Sequence, residues 1–487
     1  MFPDEKTTTK TRIGMTDEID KDIKEIVENA EIEIKKELGT KNNKAKKNDK
    51  EPVNTTSLII VDKTVYEQVF NPETNISKYA YIDKKKDKVE YCDHVMKNGI
   101  KHIPPEITFK AVESGAIRLP TKAEPYESFE SLVAEIQTFI HTYVDVSAGY
   151  EKFSTWYVLF SWVLDNIHTT PYLRVLGDWG SGKSRFLKTV GRLLYKPMFM
   201  VNPTAPVVFR TIDMWKGSLV LDEFTPNTAV NESDPLMQVL NCGFERGIPV
   251  ARTEKDTFKM RYFDVFGAKL ISSRKQFKDE ALESRCLTET VTETDREDIP
   301  AYLPPEFVEK QNELRNKLLY FRLYHLYDID LKAIQDIEFP KGISRRLKQA
   351  FSSFAAVFSF DKNAMSIFMN FIKEYSQIRK EEISETFDGK IVNSIFNLKN
   401  NGFDVFGSGD IAQELFDNFG INKDGHPISS QGIGRHLKIL KIKTKRKHVN
   451  GTMKRIIDWD TKLMNSLKNK YVVDEEIEKA EQEQLQF

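Results

Sequence analysis

The stretch YLRVLGDWGSGKSRFLKTVGRLL, Tyr172 to Leu194, constrains the fold of this 487-residue chain more than any other. An apolar run ends in a glycine-rich loop, and an amphipathic helical pattern begins at once. The loop Gly177, Asp178, Trp179, Gly180, Ser181, Gly182, Lys183, Ser184 fits G-x-x-x-x-G-K-[ST] at every defined position. Glycines are needed because the backbone must curl until its N–H groups face phosphate oxygens. The N-terminus of the following helix adds partial positive charge. Lys183 is placed to reach the β- and γ-phosphates and Ser184 to hold Mg²⁺, and Arg185 is counted with the loop among the nucleotide-binding residues.

A second element fits the first. KGSLVLDEF, Lys216 to Phe224, is an apolar strand that ends in two acids roughly 40 residues after Lys183. Asp222 is expected in the Mg²⁺ shell and Glu223 as the base that orients and deprotonates an attacking water. Strand and helix patterns alternate after Thr170, which signals a layered α/β core.

The chain is longer than one hydrophobic core usually supports, so two or three domains are expected. Cys92, Cys242 and Cys286 show neither metal-ligand nor disulfide-framework spacing, which favours a reducing compartment. The segment MFPDEKTTTK has no apolar core of a signal peptide. The most apolar run, Trp156 to Ile167, is too short to span a bilayer and contains Asp165, so it is read as a buried core helix. A cytoplasmic protein without membrane contact is expected.

Composition divides the chain further. Residues 1–55 form a charged arm, with a helical pattern from Asp17 to Leu38. Residues 56–120 hold short strand-like runs, a small β-rich module. Helical periodicity covers Phe129 to Val144 and Tyr150 to Ile167, and the α/β core extends over 121–305. A helical region spans 306–385, a small domain 386–472, and an acidic tail 473–487. The tail ends in QLQF, similar to bacterial sliding-clamp ligands.

With these residues in hand, Phe129 to Phe358 resembles the AAA+ ATPases. Within them it looks like the helicase branch related to minichromosome maintenance proteins, and most like replication ATPases of plasmids and integrated mobile elements. The resemblance implies an AAA+ P-loop core with a helical lid, ATP and Mg²⁺ as cofactors, and a homo-oligomeric ring, expected as a hexamer. AKLISSR, Ala268 to Arg274, looks like the strand carrying the first sensor residue. The family usually has Asn there, and here Ser272 or Ser273 takes the place. DEALESRCL is similar to the segment ending in an arginine finger, which assigns Arg285 to the γ-phosphate of the neighbouring subunit. Arg345 and Arg346 both qualify for the second sensor, with Arg315 as a weaker alternative.

ERGIPVARTEKDTFKMRYFDVFG, Glu245 to Gly267, reads as a hairpin with apolar alternation through Ile248 and Val250, then Tyr262 and Val265, around a polar tip. The helicase branch carries in this slot a hairpin that enters the ring channel. By that resemblance Arg252, Lys255 and Lys259 would grip the backbone of single-stranded DNA, and Phe258 would stack on bases.

Near the C-terminus, residues 408–460 read as helix, turn, helix and two-stranded ribbon, the order of a winged helix. Ser408 or Asp410 is a candidate cap, Ile433, Leu437 and Leu440 face inward, and Asn450-Gly451 makes the ribbon turn. Twelve Lys/Arg stand against two acids from Arg435 to Lys470, the electrostatic footprint of a DNA-binding face. Ser429, Ser430, Gln431, Arg435 and His436 are placed to meet a groove. Lys443, Lys445, Arg446, Lys447, Lys454 and Arg455 would meet phosphates of duplex DNA.

The expected activity is that of an ATP-dependent DNA helicase or translocase for replication of a plasmid or mobile element, with replication proteins as further partners. The alternatives are an ATP-switched initiator or loader, and a winged-helix transcriptional regulator with an assembly ATPase. Replacing Lys255 and Lys259 with Ala is expected to abolish DNA-stimulated ATP turnover and spare basal turnover. Equal loss of both rates would show that the hairpin does not grip DNA.

Overall fold

The computed structural model describes residues 52–107, 109–224, 234–253, 258–329, 331–358, 360, 362–420, 422–423, 426–449 and 452–473. The helix expected within Asp17–Leu38, Lys255, the Asn450-Gly451 turn and the acidic tail beyond residue 473 lie outside them. Two units separate. The smaller comprises 52–54 and 96–102 and is built on strands β1 (Val53–Thr55), β6 (Val95–Lys97) and β7 (Ile100–Ile103), in the order β1-β7-β6.

The larger unit begins with a four-stranded antiparallel sheet of β2 (Leu58–Val61), β3 (Thr64–Asn71), β4 (Ile76–Asp83) and β5 (Lys88–Cys92), paired in sequence order. Helix Phe129–Tyr143 follows, opened by Ser128, whose hydroxyl accepts from Ser131 N–H while Ser131 returns a bond to the Ser128 backbone. Helix Ala148–Ser161 is buried along nearly its whole length. The apolar run expected as one core helix thus breaks at Ser161, and its remainder forms a short 3₁₀ turn at Leu164–Asn166. No described helix is long and apolar enough to cross a membrane.

The centre is a five-stranded parallel sheet of β8 (Tyr172–Leu176), β9 (Met198–Val201), β10 (Leu219–Asp222), β13 (Lys269–Ser273) and β14 (Cys286–Thr290), in the order β14-β8-β13-β10-β9. These strands read as nearly continuous apolar runs because helices cover both faces of a parallel sheet. The order puts β13 between the strand that precedes the glycine loop and the strand that ends in acids. Ser272 and Ser273 stand beside Val175 and Leu176 as a result.

Strands β11 (Val250–Thr253) and β12 (Met260–Phe263) form the expected hairpin between β10 and β13. Its inward pair differs from the alternation read in the sequence. Val250 faces Phe263 and both are buried, whereas Ile248 is 47% and Tyr262 63% exposed. The strand register places Tyr262 opposite Ala251, on the outward face.

One apolar cluster runs through β3 and β4, the helices before β8, and helix Pro305–His325, and so crosses the boundaries expected near residues 120 and 305. A buried ionic knot sits within it. Glu67 of β3 accepts from Arg322 Nε at 2.5 Å and from the Tyr195 hydroxyl at 2.7 Å, and pairs with Lys196 Nζ at 2.8 Å. Arg322 also holds Asp165 at 2.6 and 3.0 Å. A separate core joins helices Phe387–Asn400, Ser408–Phe419, Ser430–Ile439 and Thr461–Tyr471 to the hairpin of β17 (Thr444–Val449) and β18 (Thr452–Ile457), which follows the short antiparallel pair β15 (Asn422–Lys423) and β16 (His426–Pro427). Gly407 precedes the second of these helices because a Cβ there would lie 2.1 Å from the Arg455 carbonyl oxygen. Its N–H donates to the Asp410 carboxylate at 2.7 Å, so Asp410 caps from the first turn of a helix that starts at Ser408.

Removing one member of a buried ion cluster strands the rest without counter-charge. Glu67→Ala is expected to cost ~3–5 kcal/mol, read as a large drop in thermal midpoint. A change comparable to a surface substitution would show that the knot contributes little.

Candidate phosphate and nucleic-acid sites

The glycine loop leaves the C-terminal end of β8 and turns into helix Lys183–Val190. Gly180 and Gly182 have φ of +78° and +84°, a backbone that L side chains rarely adopt. Gly177 answers a different need, since a Cβ there would lie 2.3 Å from the Val291 carbonyl oxygen. Lys183 folds back along the loop, donating to the Asp178 carbonyl at 2.5 Å. Burial first, and the nearby Arg274 charge second, hold its ammonium below the ordinary lysine range.

Ser184 and Asp222 meet as the two motifs require, with the Ser184 hydroxyl 3.4 Å from Asp222 Oδ1. The Ser272 hydroxyl donates to the same oxygen at 2.7 Å and accepts the Glu223 N–H at 2.7 Å. One side chain of β13 therefore braces both acids. Glu223 itself has φ of +51°, a left-handed backbone that turns its carboxylate off the strand. The two serines separate in role: Ser273 is buried, and its hydroxyl has no hydrogen-bond partner among the described residues. Ser184 and Asp222 offer two hard oxygens, which suits Mg²⁺ completed by water and phosphate ligands. The described residues contain no cluster of three His, Cys, Asp or Glu able to hold a metal by themselves.

Arg274 was not singled out in the sequence, although it directly follows the serine pair. Its Nη2 lies 3.1 Å from Glu223 Oε1, and its guanidinium stacks 3.8 Å above the ring of Trp179, which is otherwise 75% exposed. Arg185 lines a cavity beside the loop and donates to the Pro300 and Ala301 carbonyls there, at 2.5 and 2.6 Å. That cavity, about 240 Å³, is also lined by Tyr143, Asp145, Val291 and Thr294, none of them marked by a motif. Thr294 donates to Asp145 at 2.6 Å across it.

Arg285 lies at the opposite end of the sheet. Its carbonyl accepts from Tyr172 N–H, where β8 begins, while the glycine loop follows Leu176. At ~3.3 Å per residue the strand holds the two well apart within one chain. Its guanidinium donates to Asn241 Oδ1 at 2.8 Å and lies over Phe244, where Arg346 joins it 4.6 Å from the same ring. Arg345 is exposed on the helix and makes no such approach. Arg315 is buried beyond the far end of the glycine-loop helix, away from the glycine loop, and donates to the Arg192 carbonyl at 3.2 Å.

On the hairpin, Arg252 lies against Phe209, 5.4 Å from its ring, and not out at the tip. Phe258 is 81% exposed, and Lys259, Met260 and Tyr262 are exposed with it. In the C-terminal unit Ser429 is committed to capping the helix through Gly432 N–H, while Ser430, Gln431 and Arg435 are exposed. His436 is half-buried: its Nδ1 lies 2.6 Å from Asp388 Oδ1 and its ring packs edge-to-face with Phe387. Lys445 pairs with Asp458 at 2.7 Å and Arg455 Nε donates to Thr444. Lys443, Arg446, Lys447 and Lys454 are exposed along the hairpin. Arg446 stands opposite Arg455 and Lys447 opposite Lys454.

No family model and no curated protein matches the chain. Among solved structures it is similar to the apo C-terminal region of NrS-1, at 12% identity and a TM-score of 0.38, covering 80% of this chain and 95% of that one. A SCCmec type IV Cch protein described as an active helicase shows 10% identity and a TM-score of 0.35, over 84% and 98% of the two chains. A full-length MCM homolog from Methanopyrus kandleri shows 9% identity and a TM-score of 0.31, over 66% and 72%. Likenesses this distant carry none of the functional argument, which rests on the geometry.

Ser272→Ala removes the brace shared by Asp222 and Glu223 and is expected to lower Mg²⁺-dependent nucleotide hydrolysis ~10–100-fold. Ser273→Ala, which breaks no hydrogen bond, should change it far less. Equal effects would refute the division of roles.

Proposed function

We propose that the chain is an ATP hydrolase driven by DNA, a helicase or translocase that works as a ring on single-stranded DNA. The observation that carries this is the bond set of Ser272, which joins the acid beside Ser184 to the acid proposed as base. The cavity beside the glycine loop has room for a nucleoside, with Asp145 and Thr294 as its polar edge. Lys183 would exchange the Asp178 carbonyl for phosphate oxygens, and Ser184 and Asp222 would hold Mg²⁺, which supplies charge stabilisation when bound. Glu223 would take the proton of a water attacking the γ-phosphorus in line.

The chain's own arginines do not complete this site. Arg285 and Arg346 gather around Phe244 at the other end of the sheet, which fits a pair offered to the nucleotide of a neighbouring copy. That supports the ring. Arg274 suits a different task as a positioning residue, because it ties Glu223 to the glycine loop through Trp179. Base and loop are thereby linked, and nucleotide entering at the loop would loosen the hold on Glu223.

The DNA contacts divide between two surfaces. Met260 and Tyr262 of β12 are exposed, with Phe258 and Lys259 exposed just before the strand, suited to stacking and phosphate contact without sequence preference. The C-terminal order of helices and hairpin supports a winged helix. Like charges opposite each other across β17 and β18 are unfavourable in the isolated hairpin, and phosphates would relieve them. The resemblance to replication ATPases of plasmids and mobile elements supports a replication role. The Arg274–Glu223 pair also favours a second reading, an ATP-switched loader that hydrolyses ATP without processive unwinding.

The test is ATP turnover without nucleic acid, with single-stranded DNA and with duplex, with Glu223→Gln as control. Single-strand stimulation that vanishes in the control is expected, and turnover indifferent to single strands would sink the motor. Arg274→Ala should raise basal turnover and shrink the ratio of stimulated to basal rate. A uniform fall in both rates would instead assign Arg274 to nucleotide binding.

A further inference from the structure

Away from the glycine loop, three arginines converge where its helix ends. Arg192 belongs to the 3₁₀ turn Gly191–Leu193 that follows helix Lys183–Val190, and Arg315 lies within helix Pro305–His325, 3% exposed. Arg118 comes from the turn after helix Phe109–Glu113. That turn is fixed on the edge of the parallel sheet, since Ile117 bridges Met198 and Phe199 N–H donates to the Ala116 carbonyl at 3.0 Å.

Gly115 shows how closely the cluster is drawn. Its φ is +71°, and a Cβ there would lie 2.9 Å from Arg118 Nη2 and 3.2 Å from Arg192 Nη2. Two guanidinium ends thus face the same small space, which any larger residue would fill. Arg315 gives Nη1 to the Arg192 carbonyl and Nη2 to Asn312, and these are neutral acceptors. The Nε atoms of all three arginines are buried and have no hydrogen-bond partner among the described residues. No described carboxylate pairs with any of them.

Guanidinium groups stay charged in proteins, so the cluster keeps its repulsion and cannot shed a proton to escape it. Burial, together with the charges of Arg118 and Arg192, presses Arg315 down to about 9, the direction of a site short of negative charge. One carboxylate or one backbone phosphodiester would bring a single charge. A phosphate monoester or inorganic phosphate brings about two, with several oxygens for N–H donors held in planar forks.

We propose that Arg118, Arg192 and Arg315 form a binding site for a phosphate-class dianion, separate from the glycine loop. The ligand is inorganic phosphate or a terminal phosphate monoester. The site is closed on one side by Gly115 and on the other by helix Pro305–His325.

The experiment uses the full chain carrying Lys183→Ala, which removes the phosphate contact of the glycine loop. Thermal midpoint is followed against inorganic phosphate, with chloride at matched ionic strength as control. A saturable rise is expected, and Arg118→Gln or Arg192→Gln should abolish it. Without phosphate the two Gln variants should be at least as stable as the parent, because repulsion is relieved, so phosphate reverses the order of stability. Arg118→Lys, which keeps the charge but not the fork, should retain a weakened rise. No response in the Lys183→Ala chain, or an undiminished response in Arg118→Gln, would overturn the site. A 5′-phosphorylated oligonucleotide that stabilises where its 5′-hydroxyl twin does not would assign the site to nucleic-acid ends. Stabilisation by free phosphate alone would assign it to the small ion.

Discussion

The hydroxyl of Ser272 is the contact on which the arrangement of the site depends. A carboxylate at the end of a strand has no intrinsic reason to point at a loop on another strand. Inserting β13 between β8 and β10 supplies that reason, because it sets a short donor and acceptor between the two. A longer side chain would push the acids away, and an apolar one would leave the Glu223 N–H unpaired beneath the loop. The left-handed backbone of Glu223 is tolerated because its N–H is caught there. Strand order, hydrogen bonding and strain are thus parts of one device that aims two acids at the same space.

A second constraint holds the scaffold around that device. Glu67, Lys196, Arg322 and Asp165 come from four distant parts of the chain and balance one another in the interior. Burying such charges brings little net stability, but breaking the set is costly, so the cluster specifies one way of docking the antiparallel sheet on the core. The same helix that brings Arg322 to this knot brings Arg315 to a place where no counter-charge waits. One cluster balanced in charge and one without described counter-charge, on a single helix, mark the difference between an internal fastening and a place for a ligand.

The surfaces proposed for DNA differ from each other in chemistry. The hairpin of β11 and β12 shows aromatic and aliphatic side chains outward, whereas that of β17 and β18 shows paired like charges. Stacking suits unpaired bases and charge suits a duplex backbone, so the two surfaces need not compete for one kind of strand. Arg252 and His436 stand apart from these exposed side chains, since each is half-buried, Arg252 against the Phe209 ring and His436 against Asp388.

How much could be seen without coordinates follows from how local each signal is. The glycine loop, its strand and helix, the acidic strand, the hairpin and the C-terminal helices were legible because each rests on neighbours within a few residues. Glycine conformations, alternation and helix caps are short-range properties. The choice between Ser272 and Ser273 was not legible, because adjacent residues on a strand face opposite sides and only the neighbouring strands say which side holds the acids. Nor were Arg274 on Trp179, the separation of Arg346 from Arg345, or the meeting of Arg118, Arg192 and Arg315. Thus the sequence by itself determined the course of the glycine loop and the order of elements. Tertiary structure alone decided which polar groups share a space, because that depends on strand order and on contacts between residues as much as 255 positions apart in the chain, as Glu67 and Arg322 are.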